Sequence, residues 1–333
     1  MQPLRFQPVF QRYLWGGRRL ATVLNKPIGD GDCAESWELA DHHQFQSVVR
    51  AGDWAGRTLA ELMKEQGRGV IGQKAFDQMH RPQVPPSLRG RFPLLLKFLD
   101  AQRDLSVQVH PDDALAATLD PPDFGKTEAW YVIDAEPESR IYAGLKRGVG
   151  PAELAAAIER GQADQMLHSF SPRPGDCLLI RAGTIHAIGA GCLIAEIQQA
   201  SNTTFRLYDW NRVDSDGQPR PLHIEPGIQA TNFSLGPVDP IRCGDGLEGT
   251  SDRLLVQCEQ FVMRRRSIDQ PVRIGGDSRF HILAVLQGAM EVEDDPVKKP
   301  LAIGDTLLIP AASRPLAIVP DPTARFLQIG LPE

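Results

Sequence analysis

Nothing in this 333-residue sequence approaches the ~18 consecutive apolar residues that a membrane-spanning helix requires; the most apolar run, PLLLKFL, is interrupted by Lys97. The opening stretch, MQPLRFQPVFQRYLWGG, holds no unbroken apolar h-region, so no signal peptide is expected. Positive charge is not in excess: 36 Lys and Arg face 42 Asp and Glu, a net charge of −6 with a pI of about 5.8. Without a basic stretch the chain lacks the electrostatic footprint of a nucleic-acid binder. Cysteine is scarce. The five residues, Cys33, Cys177, Cys192, Cys243 and Cys258, are odd in number and form no CxxC pair, which reads as reduced thiols in a cytoplasmic protein.

Turn-forming residues, by contrast, are abundant. Thirty Gly and 27 Pro make about 17% of the chain, against a usual ~12%, which predicts many short elements and leans towards β structure. A length of 333 residues fits two domains at roughly 100–200 residues each. Two patches carry helical spacing, about 56–82 and 151–170; the first is interrupted by Gly67 and Gly69, the second opens with Pro151, suited to a first helical turn. The remainder reads as strands, with an Asp-, Gly- and Pro-rich loop from Asp214 to Pro221.

One phrase occurs twice. GDCLLIRAG at 175–183 and GDTLLIPAA at 304–312 share six of nine residues, although Gly-Asp before an apolar strand is common enough to arise by chance. The phrase resembles the turn–strand–histidine phrase of cupin barrels. Its first copy ends at His186; its second has Pro315 at the matching offset. The expected fold is therefore mainly β, two cupin-type jelly-roll barrels. Residues 1–235 would form a catalytic barrel with the helical insertions, and 236–333 a second barrel without metal ligands.

In a strand, alternate residues share a face. Ser106, Gln108 and His110 then point one way and Val107 and Val109 the other, as in a barrel with a polar cavity or in an ordinary amphipathic edge strand. Lys126, Glu128 and Trp130 likewise share a face as the chain enters the apolar run Tyr131-Val132-Ile133. A carboxylate entering a buried strand needs a partner, either a metal ion or Lys126. Gln108, His110, Glu128 and His186 together offer two imidazoles, a carboxylate and an amide oxygen, a set that suits one divalent ion, zinc first, with no thiolate required. Glu196 shares a face with Ile194 and Gln198, and Arg206 with Thr204 and Tyr208; an acid and a guanidinium could serve such a site or simply pair with each other. His42, His43, His80, His168, His223 and His281 read as structural or exposed.

Several longer phrases stand in order: Tyr13-Leu-Trp15-Gly-Gly17, Glu35-Ser-Trp37-Glu38, Pro93-Leu-Leu-Leu-Lys97, LSVQVHPDD at 105–113, GKTEAW, AGTIHAI and QQASNTTFRLYDWNR. They resemble the type I mannose-6-phosphate isomerase family, its short bacterial form most of all, over most of the chain. The resemblance implies that Gln108, His110, Glu128 and His186 hold the metal, that Arg206 is the essential arginine, and that Lys97, Ser106 and Arg212 contact a substrate phosphate. Arg181 departs from the cupin phrase, which usually has Pro there. The implied reaction interconverts mannose 6-phosphate and fructose 6-phosphate through a cis-enediol. Glu196 is the first choice for proton transfer, with Lys126, Asp209 or a metal-bound water as other candidates. The partner is then a small sugar phosphate. Two other readings use the same barrel: a non-catalytic sugar-phosphate-binding protein and a metal-dependent oxygenase.

Overall fold

The computed structural model describes residues 1–213, 217–242 and 251–333. Three sheets account for most of it. The strands are β1 (Val9–Gln11), β2 (Glu35–Leu39), β3 (Leu94–Ala101), β4 (Val107–Val109), β5 (Glu128–Ala135), β6 (Ile141–Leu145), β7 (Leu167–Phe170), β8 (Cys177–Ile180), β9 (His186–Ile188), β10 (Cys192–Gln199) and β11 (Phe205–Tyr208). After them come β12 (Ser251–Gln257), β13 (Val262–Ile268), β14 (Val272–Ile274), β15 (His281–Val292), β16 (Leu301–Ala302), β17 (Thr306–Ile309) and β18 (Leu316–Gly330). A six-stranded sheet runs β8-β5-β10-β3-β2-β1, and a five-stranded one β7-β6-β9-β4-β11. A seven-stranded sheet runs β12-β13-β18-β15-β16, with β14 also on β18 and β17 on β15. The fold is mainly β, as the turn-rich composition predicted.

Period-two alternation decides what each face meets. Along β3, β5 and β10, Leu99, Ala101, Trp130, Val132 and Ile194 turn inward onto Ile141, Ala143 and Ile188 of the five-stranded sheet. The residues between them, Leu96, Phe98, Ala129, Tyr131, Ala195 and Ile197, turn outward into a larger core. That core also takes in the helix Leu59–Ile71 (α1) and Met263, Ile282, Leu308 and Ile329 of the seven-stranded sheet, so one continuous apolar layer joins the two halves. Val107 and Val109 bury against the helix Pro151–Glu159 (α3) on the far side of the five-stranded sheet.

Both predicted helical patches are present. The first forms α1 and α2 (Gln73–Met79), with Thr58 capping α1 through the Glu61 backbone N–H. Gly67 and Gly69 do not stop α1, contrary to expectation. The single non-helical residue is Gln66, and Gly67 is small because Phe76 packs where its Cβ would stand. The expected common face of Arg206 and Tyr208 also fails: a register shift lies between them in β11, and Tyr208 joins Leu207 in the apolar layer. Cys33, Cys177, Cys192 and Cys258 are free and buried, while Cys243 and residues 214–216 of the loop lie outside the described residues. Among the described residues no helix is long and apolar enough to cross a membrane.

Candidate active site

Strand register assembles the site. In the six-stranded sheet Glu196 of β10 stands beside Lys97 on β3 and Trp130 on β5, and Gln198 stands beside Glu128. In the five-stranded sheet Gln108 of β4 pairs with His186 on β9 and with Arg206 on β11. Between the sheets lies a cavity of about 300 Å³. Its buried lining includes Glu35, Lys97, Ser106, Lys126, Trp130 and Glu196, and its more exposed lining includes Tyr13, Arg206 and Arg220. The first group forms the floor, the second the rim.

His110, Glu128 and His186 sit just behind Gln108 and Lys126, all three buried, with their ligand-type atoms within 4.8 Å of one another. His110 Nδ1 donates to the Thr203 carbonyl at 3.0 Å and His186 Nδ1 to the Thr184 carbonyl at 2.9 Å. A carbonyl can only accept, so each ring carries its proton on Nδ1 and presents a lone pair at Nε2. Those lone pairs face the Glu128 carboxylate at 3.4 and 3.3 Å. The turn that carries His186 is tied to the other ligand: Gly183, in a left-handed conformation (φ +85°), donates its N–H to the His110 carbonyl at 2.9 Å.

Burial and the nearby Lys126 ammonium push the His110 imidazole down to about 3, and burial lowers His186, so both rings are neutral. Burial alone would raise Glu128, but the neighbouring Lys126 ammonium outweighs it and holds the carboxyl well below the usual carboxylate range. Lys126 Nζ lies 3.0 Å from both His110 Nε2 and Glu128 Oε2, yet Oε2 has no aligned hydrogen-bond donor. Gln108 completes the group, its amide 3.3 Å from His186 Nε2. Two imidazole lone pairs and a carboxylate converge here, and although the Lys126 ammonium stands beside them, Glu128 Oε2 still lacks a donor. This all-nitrogen-and-oxygen set fits a divalent metal ion.

Lys97 lies between two carboxylates, Glu196 at 3.1 Å and Glu35 at 3.3 Å, all three buried. Burial opposes its charge, but Glu196, Glu35 and Glu128 together raise its affinity for the proton. Burial and the Glu128 charge push Glu196 up to about 7, against the pull of Lys97. At the rim, the Arg206 backbone N–H donates to His223 Nδ1 and its Nη1 to the Pro221 carbonyl at 2.9 Å, while its Nε has no partner. Burial and the neighbouring Arg220 lower the Arg206 pKa. Arg212 is held by Asp209 and the Asp104 carbonyl and is not among the cavity's lining residues.

The structure thus gathers Gln108, His110, Glu128, His186, Lys97, Ser106, Lys126, Glu196 and Arg206 in one place and sets Arg212 to the side. Sequence reasoning gave no role to Glu35, the second partner of Lys97, or to Arg220. Glu35 lies in a strand with acidic residues at two positions, so alternation alone could not say which faced inward. Arg220 stands in a loop without periodicity.

Residues 3–141 match the family model for the catalytic domain of type I phosphomannose isomerases. Over 309 residues the chain is 35% identical to mannose-6-phosphate isomerase ManA of Bacillus subtilis, covering 93% of each. The chain belongs to the type I phosphomannose isomerase family. The mannose-6-phosphate isomerase of Streptococcus mutans is 33% identical over 93% of this chain and 92% of its own. The crystal structure of the mannose 6-phosphate isomerase from Bacillus subtilis superposes with a TM-score of 0.85 at 31% identity, covering 99% of both chains. Membership of a phosphomannose isomerase family favours neither the oxygenase nor the binding-only reading.

Proposed function

We propose that this chain interconverts mannose 6-phosphate and fructose 6-phosphate, using one divalent metal, most simply zinc. The observation that carries this reading is that the nitrogen-and-oxygen ligand set, a carboxylate with a raised pKa and a guanidinium all converge on one cavity of about 300 Å³, in a member of this family. His110, Glu128, His186 and Gln108 would hold the metal. When bound, it supplies Lewis-acid polarisation of sugar oxygens.

The chain's own residues supply the rest. Glu196 moves the proton between C2 and C1, its basicity raised by burial so that it both accepts and releases a proton near neutral pH. Lys97, fixed between Glu35 and Glu196, holds that carboxylate in place. Lys126 donates to oxygens that gain charge as the enediol forms, and Arg206 offers a preorganised positive charge from the rim. Ser106 lines the cavity beside Gln108 and can hydrogen-bond the substrate. Residues 1–235 contain every one of these groups, with 236–333 as a supporting second barrel. Four buried free thiols suit a reducing, cytoplasmic setting.

The test is an isomerase assay on the purified protein with mannose 6-phosphate, before and after EDTA treatment and after adding back zinc. Turnover that disappears with the metal and returns with zinc is expected. Activity unchanged after complete metal removal would overturn the metal assignment, and no turnover by the metal-loaded protein would overturn the isomerase reading.

A further inference from the structure

We propose that Arg220 grips the phosphoryl group of the substrate and that Asp209 is the positioning residue that aims it. The inference rests on the isomerase reading and goes beyond it by assigning the phosphate subsite to a residue no motif singled out.

The argument starts from charge at different depths. On the floor of the cavity Lys97 lies within 3.3 Å of two carboxylates, and Lys126 lies 3.0 Å from Glu128. Both ammonium groups are already matched by acid, so neither has charge to spare for a dianion. The rim is different. Arg206 and Arg220 both line the cavity there. Asp209 holds Arg220 side-on, with Nε donating to Oδ2 at 2.7 Å and Nη2 to Oδ1 at 2.6 Å, and it also holds Arg212. Among the described residues, the two rim guanidiniums face this one carboxylate, which Arg212 also shares, so the rim side of the cavity is net positive.

Donor accounting then singles out Arg220. A guanidinium carries five N–H donors. Two of Arg220's go to Asp209, and the other three have no partner among the described residues. Arg212 instead spends donors on the Asp104 carbonyl and on Asp209, away from the cavity. Arg220 is also held in place. Pro219 and Pro221 flank it with fixed φ, Pro219 pairs with Val213, and the Pro221 carbonyl accepts from Arg206. A side-on carboxylate contact leaves the far end of the fork free for a phosphate, the ligand geometry that guanidinium matches best.

The substrate's own chemistry demands this separation. Its reacting carbons, C1 and C2, lie at the opposite end of the sugar from the C6 phosphate. A phosphate at Arg220 on the rim leaves the sugar's reacting end to reach Glu196 on the floor.

The experiment is steady-state kinetics of the metal-loaded enzyme with mannose 6-phosphate, with inorganic phosphate as competitive inhibitor, for wild type, Arg220→Ala, Arg220→Lys and Asp209→Asn. Loss of charge-assisted bonds predicts that Arg220→Ala raises KM and the phosphate Ki together by roughly 10- to 100-fold, with kcat changed far less. Arg220→Lys should recover part of the loss, and Asp209→Asn should raise KM by a smaller factor because the fork is no longer aimed. If Arg220→Ala fails to fold, Arg220→Lys still tests the idea through a several-fold rise in both constants. Unchanged KM and Ki, or a fall in kcat at constant KM, would overturn the assignment. Should wild type bind inorganic phosphate by calorimetry and lose it in Arg220→Ala without any isomerase activity, the isomerase reading fails while the anion site stands.

Discussion

At Gly175-Asp176 and again at Gly304-Asp305 the chain makes the same turn, bond for bond. Both glycines are left-handed, with φ +89° and +85°. Asp176 accepts from the Arg173 backbone N–H at 3.0 Å, and Asp305 from that of Ala302 at 2.9 Å. Gly175 donates to the Val132 carbonyl and Gly304 to the Val285 carbonyl, and each valine's N–H returns to the carbonyl of the adjoining aspartate. The strands that follow also behave alike, with Leu178 and Ile180 facing one core as Leu307 and Ile309 face another. Yet the interiors differ. In the first half Lys97, Glu128 and Glu196 share the inward faces with hydrocarbon. In the second half Leu283, Val285, Met290, Leu307, Ile309, Leu316 and Phe326 pack as an apolar cluster, with the buried charges of that half, Arg265, Asp295 and Arg325, outside it. The repeated phrase therefore encodes a turn and a strand, and the chemistry resides in a few inward positions outside it, above all the one filled by His186 in one copy and Pro315 in the other.

If that contrast is real, removing a ligand from the first half should abolish chemistry without unfolding the chain. His186→Ala is expected to lower turnover by roughly 10³-fold or more, since a bound metal is worth several kcal/mol to the transition state. Metal content by emission spectroscopy should fall with it, and far-ultraviolet dichroism should stay unchanged. Retained metal and activity would show that His186 is only structural.

The opposite result is expected in the second half. Phe326 is fully buried in the apolar cluster. Phe326→Ala should cost about 3–5 kcal/mol in denaturant unfolding, with kcat per folded molecule preserved. A loss of kcat at full folding would show that the two interiors are coupled.

Within the first half, the comparison sharpens by separating rim from floor. Arg206→Ala should lower kcat by roughly 10²-fold if its charge acts in the transition state. It should leave the melting temperature near that of wild type, because among the described residues Arg206 makes one side-chain hydrogen bond, to the Pro221 carbonyl. A purely structural Glu196–Arg206 pair, left open by the sequence, predicts instead a fall in stability; Glu196 in fact pairs with Lys97.

How much of this could be read beforehand follows from the length scale of each signal. Alternation is local, so the inward face of Ser106 and Gln108, and of Lys126 and Trp130, followed directly from the residues. The metal quartet was legible because each ligand sits in a distinctive phrase. Alternation failed where one extra residue intervened, as at the β11 register shift beyond Arg206. Gly67 and Gly69 misled because a propensity of about 1 kcal/mol is outweighed when a neighbour such as Phe76 needs the space. Glu35 with Lys97, and Asp209 with Arg220, escaped notice because those pairings depend on strand order and loop path, which no single segment contains.

The smallest predicted effect tests the likeness that frames the comparison. If the two turns are the same device, Asp176→Ala and Asp305→Ala should each cost about 1–2 kcal/mol, the price of leaving one backbone N–H without its acceptor. Asn at either position retains an acceptor oxygen and should recover most of the loss. Asp176 also pairs with Arg242 at 2.9 Å, whereas the ion pair of Asp305 with Arg5 is longer, at 3.9 Å. The first substitution should therefore be slightly the more costly, and the excess should vanish in Arg242→Ala, where no ion pair is left to lose. Equal costs in that background, measured by urea unfolding, would establish the turns as equivalent. A large residual difference would mean that their matching geometry conceals different energetics.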